Sequence, residues 1–158
     1  MTKSDFLARY EAVYEASPWV AEGAWEAGAR EGEALAAAMR KVVDEAPRER
    51  KLALIRAHPE LAGRAAIAGD MAEASKQEQS GAGLDQCSPE EFADFQRLNA
   101  AYNARFGFPF IIAVKGHDRR SILAEFARRL DNDPATEFDT AIAQIHRIAG
   151  FRLAALDG

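Results

Sequence analysis

A single cysteine, Cys87, in a chain of 158 residues removes two options at once. Neither an intramolecular disulfide nor a cysteine-built metal cluster can form, and such usage fits a reducing compartment such as the cytoplasm. Basic residues are in the minority, with 20 Lys and Arg against 25 Asp and Glu and a formal net charge of -5. That excludes the basic surface expected of a nucleic-acid binder, although a local field can still receive a small anion. Long apolar runs are also missing. The longest, Phe108 to Val114, is far too short to span a bilayer. Met1 to Tyr10 is charged and lacks the apolar stretch of a secretory signal, and Leu156-Asp157-Gly158 is not a peroxisomal address. Histidine is scarce: His58, His117 and His146 are too far apart for helical metal-ligand spacing, and none has a glutamate three residues before it. No metal site is therefore expected. What remains is a soluble chain of single-domain length, with 48% hydrophobic and 28% charged residues, enough apolar material for a core without staples.

What is present is helix-forming. Ala, Leu, Arg, Glu and Gln dominate, and β-branched residues are sparse, so an all-α fold of about eight helices is expected. Thr2 to Asp5 opens a helix reaching about Glu15, Ser17-Pro18 a second through Trp25, Gly32 precedes a third, and Pro47 sits at the first turn before Leu52, Leu54 and Ile55. Asp70 with Glu73 has capping-box spacing, and Ser88-Pro89-Glu90-Glu91 is a stronger start signal. Phe92, Phe95, Asn99, Tyr102 and Phe106 then recur at helical steps. Asp118 can cap a helix carrying Ile122, Phe126 and Leu130. Asp133-Pro134 starts the last helix, with the stripe Phe138, Ile142, Ile145, Ala149, Arg152 and Leu156. Phe106 to Val114 breaks the rhythm with Gly107 and Pro109. No partner strand is apparent, so this segment is expected to be an extended, buried connection whose amides bond to side chains, water or a ligand.

Three polar groups stand out. His58 precedes Pro59, which pushes it out of helical geometry, so His58-Pro59-Glu60-Leu61-Ala62-Gly63 sits at a helix end, a good place to present an imidazole to a pocket. A lone histidine is more often structural or exposed; a surface loop is the reading for His117 and a solvated helix position for His146. Within Ser75-Lys76-Gln77-Glu78-Gln79, the residues Ser75, Glu78 and Gln79 share one helix face, where a hydroxyl, a carboxylate and an amide suit a polar, nitrogen-rich ring. Spacing alone favours a solvated surface there, and Gly81-Ala82-Gly83 reads as the helix end. Arg152 occupies an otherwise apolar stripe, so an inward guanidinium would need an anion: a ligand carboxylate, Glu78 or another acid, unless it reaches the rim.

Taken together and in this order, the blocks resemble the 2-oxo-4-hydroxy-4-carboxy-5-ureidoimidazoline (OHCU) decarboxylases of urate breakdown. The matching blocks are His58 to Gly63, Ser75 to Leu84, Leu98-Asn99 with Tyr102, Phe106 to Phe110, Arg128-Arg129-Leu130 and Arg152-Leu153. Glu60 departs from the aspartate frequent there, and the stretch before Lys51 matches only loosely. The resemblance implies a compact all-α domain, commonly a homodimer, with no metal or organic cofactor. It implies His58 as catalytic proton donor, with Glu78 and Arg152 as the other catalytic polar groups. It further implies substrate contacts from Pro59, from Ser75, Lys76, Gln77, Glu78 and Gln79, and from the backbone of Phe110, Ile111, Ile112, Ala113 and Val114. Two other readings stay open at this point: a helical interaction module without catalysis, and a hydrolase of a neighbouring ureide.

Overall fold

The computed structural model describes residues 1–62 and 73–157. Among these, every regular element is helical. The order is α1 (Lys3–Tyr10), α2 (Pro18–Glu26), α3 (Gly32–Asp44), α4 (Arg48–Ala57), α5 (Glu73–Gly81), a short 3₁₀ turn at Leu84–Gln86, α6 (Pro89–Phe106), α7 (Arg119–Arg129) and α8 (Pro134–Asp157). No described helix is long and apolar enough to cross a membrane.

The start signals work as local chemistry requires. Exposed amides at a helix N-terminus have no intrahelical acceptor, so a side-chain oxygen or water supplies one. Ser88 accepts from the Glu91 amide at 3.1 Å while Glu91 accepts from the Ser88 amide at 2.9 Å. Thr2 with Asp5, and Asp118 with Ser121, close the same reciprocal box. Asp133 receives the Thr136 amide at 2.9 Å. The expected box at Asp70 lies outside the described residues. At the other end of α6, Gly107 takes φ +76 and donates to the Asn103 carbonyl at 2.8 Å, a left-handed stop that suits glycine.

One boundary is corrected. The first helix ends at Tyr10 rather than near Glu15. Val13, Tyr14 and Glu15 are all buried in succession, which one face of a helix cannot achieve. The chain turns instead, with Ala16 at φ +47, and the Ala12 and Val13 carbonyls receive the Arg152 guanidinium at 3.4 Å each.

The chain divides into two compact units, one of Met1–Ala57 with the chain from Ile145 onward, the other from His58 to Gln144. Helix α8 contributes its first part to the second unit and the remainder to the first. In the first unit Phe6, Val20, Ala24, Leu35, Met39 and Val43 are fully buried, and the Phe6 and Trp25 rings lie 5.2 Å apart. In the second, Tyr102 gathers the rings of Phe106, Phe108, Phe110 and Phe126 within 5.8 Å. Such edge and tilted contacts add to the area that each ring removes from water. The stripes read from sequence mark this core with modest exceptions: Phe92, Phe106 and Leu130 are half-buried, and Leu156 is exposed.

Close approach of α2 and α3 depends on Gly23. A Cβ there would lie 2.8 Å from Val42 Cγ2 and 3.0 Å from Cγ1. Valine in a helix is nearly confined to one rotamer, so it cannot swing aside. Alanine would gain about 1 kcal/mol of helix propensity, whereas overpacking costs roughly 1–3 kcal/mol. Gly23→Ala is therefore expected to lower the thermal midpoint, and a midpoint equal to or above the parent's would contradict this packing.

Candidate active site

His58 stands immediately after the last residue of α4 and is 7% exposed, as the proline rule anticipates. Glu60, Leu61 and Ala62, which follow Pro59, are held by side-chain amides. Gln79 of α5 accepts from the Ala62 amide at 3.0 Å and donates to the Glu60 carbonyl at 3.2 Å. From α6, Gln96 donates to the Ala62 carbonyl at 2.7 Å, Asn99 to the Leu61 carbonyl at 2.9 Å, and Asn103 to the Glu60 carboxylate at 2.7 Å. Ala62 has φ +50, a left-handed conformation that costs a non-glycine residue about 1–2 kcal/mol. Its amide and carbonyl are both tied by these amides, so the surrounding bonds over-determine the strained turn. Glu60 to Ala62 is thereby a tied turn rather than a free connection.

The expected polar face of α5 exists, with Ser75 and Gln79 buried and Glu78 half-buried; Lys76 is half-buried and Gln77 exposed. Gln79 has a role that spacing could not reveal, because its loop partners are seventeen and nineteen positions away. In the first unit Arg152 is 9% exposed, and Glu15 meets it at 2.8 Å. The inward guanidinium expected from the stripe is present, and Glu15 is an acid of the kind that such a guanidinium requires. His146 is corrected: it is not a solvated residue but bridges the buried Tyr14 and the exposed Asp44, at 2.7 and 2.8 Å. Burial drives the Tyr14 hydroxyl well above its ordinary pKa, so it stays protonated.

Phe110 to Val114 is neither helix nor strand and is buried throughout. Arg129 of α7 is only 1% exposed, and its guanidinium donates to the Ile111 carbonyl at 2.6 Å. It also meets Glu137 of α8 at 2.9 Å and lies over the Phe110 ring, 4.3 Å from the centroid. Phe110 in turn stacks on Phe126 at 3.9 Å. Tyr102 donates to the same carboxylate, and Asn132 donates to it at 2.9 Å. On the other flank Gln144 accepts from the Ala113 amide at 2.8 Å. Arg129 and Glu137 are residues that sequence reasoning passed over as site components. Arg129 falls seven positions after Ile122 and three after Phe126, on the same α7 stripe. That pattern resembles the one that exposed Arg152, and it would have found Arg129 had it been applied to α7.

A family profile described as OHCU decarboxylase matches residues 1–154. A 2-oxo-4-hydroxy-4-carboxy-5-ureidoimidazoline decarboxylase of Haloferax volcanii is 43% identical over 94% of this chain and 87% of its own. One of the same description from Halalkalicoccus jeotgali is 39% identical over 96% of this chain and 84% of its own. Among solved structures, an (S)-allantoin synthase shares 29% identity at a TM-score of 0.78, over 99% of this chain and 51% of that one.

The Glu137 carboxyl is pulled in two directions. Burial raises its pKa, but hydrogen bonds from Arg129, Tyr102 and Asn132 outweigh burial and hold it below the ordinary value. A depressed carboxylate contributes stability above its unfolded pKa, about 4.3, and loses it as pH falls through the folded value. The thermal midpoint is expected to fall on the acid side of about pH 4, and Glu137→Gln to flatten that fall. Superimposable acid limbs for parent and variant would contradict the assignment.

Proposed function

The chain belongs to the OHCU decarboxylase family, and we propose that it converts OHCU to (S)-allantoin and carbon dioxide with His58 moving the decisive proton. The observation that carries this reading is the buried His58 at a helix end, followed by a loop clamped from two helices. General acid–base work needs an imidazole whose position does not wander, and imidazole is the side chain most often used to exchange protons near neutrality.

Loss of carbon dioxide leaves an electron pair that pyridoxal phosphate or a thiazolium commonly accepts. This substrate supplies its own sink. As the bond to the carboxylate breaks, its electrons form a double bond to the adjacent imine carbon, and the imine nitrogen takes a proton. The resulting enol gives up its hydroxyl proton as the adjacent carbon accepts one. One proton is taken up for each carbon dioxide released. The chain's task is to orient the carboxylate, manage these protons and deliver one to a single face. The reading therefore needs no cofactor.

In this scheme His58 is the acid–base group, and Glu78 and Arg152 are its polar helpers. Ser75 to Gln79, Pro59 and the Phe110–Val114 backbone hold the ring, with backbone amides placed to stabilise developing negative charge. Arg152, gripped by Glu15, has its planar fork fixed in advance. We assign the chain to a reducing, cytoplasmic setting because it has one cysteine, and to a single-domain homodimer because of the family resemblance.

His58→Asn is close in size and still polar, so much of the fold and some ligand binding are expected to survive. Turnover should fall by about 100-fold or more, the usual reach of a general acid or base. Carbon dioxide release and circular dichroism of the allantoin measure this together. Near-parental, single-enantiomer turnover by the variant would remove His58 from the role.

A further inference from the structure

We propose that Arg129 and Gln144 are positioning residues that aim the backbone of Ile112 at the ligand; the inference rests on the function proposed above. The argument is one of peptide planes. Each trans peptide unit is planar, so fixing its carbonyl also fixes the direction of the amide at its other end. The Ile111 carbonyl and the Ile112 amide belong to one such plane, and Arg129 grips that carbonyl at 2.6 Å. The Ile112 carbonyl and the Ala113 amide belong to the next, and Gln144 grips that amide at 2.8 Å. Both backbone groups of Ile112 are thus aimed from behind by side chains that do not touch them.

The Ile112 amide and carbonyl have no protein hydrogen-bond partner among the described residues. Ile112 is nonetheless 6% exposed, and a buried peptide group of this kind requires a partner. A donor and an acceptor held side by side match a cyclic ureide, whose ring offers a carbonyl next to an N–H. Donation by a cation to the Ile111 carbonyl also polarises the peptide and strengthens the Ile112 N–H as a donor.

Rigidity at this point comes from the rest of the Arg129 surroundings. Glu137 holds the guanidinium through both oxygens at 2.9–3.2 Å, and the stacked rings of Phe110 and Phe126 lie beneath it. The ligand-facing peptide is therefore backed by a fully buried ion pair rather than by a mobile loop.

The test uses the full chain and three variants. Gln144→Met removes the acceptor for the Ala113 amide, and Gln144→Glu keeps one. Arg129→Lys keeps the charge but cannot reproduce the planar fork that serves Glu137 and Ile111 together. Kinetics of OHCU decarboxylation are normalised to folded protein, and the Ile112 amide resonance is followed as (S)-allantoin is added. Gln144→Met is expected to lose about tenfold in kcat/KM, the scale of one neutral hydrogen bond, with a reduced shift at Ile112 and largely parental behaviour in Gln144→Glu. Arg129→Lys should lose about ten- to 100-fold, as befits a charge-assisted bond. Parental kcat/KM per folded molecule together with an unchanged Ile112 response would overturn the proposal. If Arg129→Lys does not fold, Gln144→Met decides alone. Should the parent itself fail to turn over OHCU, the functional reading falls, and the Ile112 response to allantoin judges the positioning claim separately.

Discussion

Arg129 and Glu137 form an ion pair from which solvent is almost entirely excluded, and the second unit is organised around satisfying it. Removing two charges from water costs several kcal/mol per ion, so such a pair persists only where every remaining donor and lone pair finds a partner. Here Tyr102 brings in α6, Asn132 brings in the turn before α8, and the Ile111 carbonyl brings in the irregular segment. A non-helical stretch buried in an all-α protein has no ladder to satisfy its peptides. The guanidinium supplies what a neighbouring strand would have supplied, and it does so from a helix. The aromatic cluster then packs around the pair, with Phe110 placed between the guanidinium and Phe126.

The first unit solves a similar problem with the same chemistry. Arg152 is buried beside Glu15 and reaches the carbonyls of Ala12 and Val13, where the chain has left α1. Irregular backbone is thus tied to an arginine from a later helix in both units. A guanidinium suits this use because it is always charged and has five donors in a fixed plane, so it can serve a carboxylate and carbonyls together. The loop after His58 follows a different rule. Its carbonyls and amide are held by neutral side-chain amides, which can satisfy donors and acceptors alike.

Features carried by short spacing were legible in the sequence. The caps at Thr2, Ser88, Asp118 and Asp133, the α6 and α8 stripes, the helix end at His58 and the break at Gly107 all depend on residues within one or two turns. Features set by distant partners were not. Glu15 lies 137 positions from Arg152, and Tyr14 lies 132 from His146, so no local pattern announces either bond. The spacing of Gln79 marks its helix face but not its hold on Glu60 and Ala62. The early end of α1 is legible only once Val13, Tyr14 and Glu15 are known to be buried together. Arg129 is the instructive miss, since its place on the Ile122–Phe126 stripe was visible and only its burial was not inferred.

These devices share one consequence: irregular backbone is held by side chains from the helices around it, and under the proposed function a substrate carrying its own electron sink then needs only orientation and one-sided proton delivery. The direct measurement is to add the full-length parent protein to freshly generated OHCU and record carbon dioxide and optical activity together. The account predicts accelerated release of carbon dioxide matched by the growth of one allantoin enantiomer, the (S) form. Release at the spontaneous rate, with optically inactive allantoin accumulating, would contradict it.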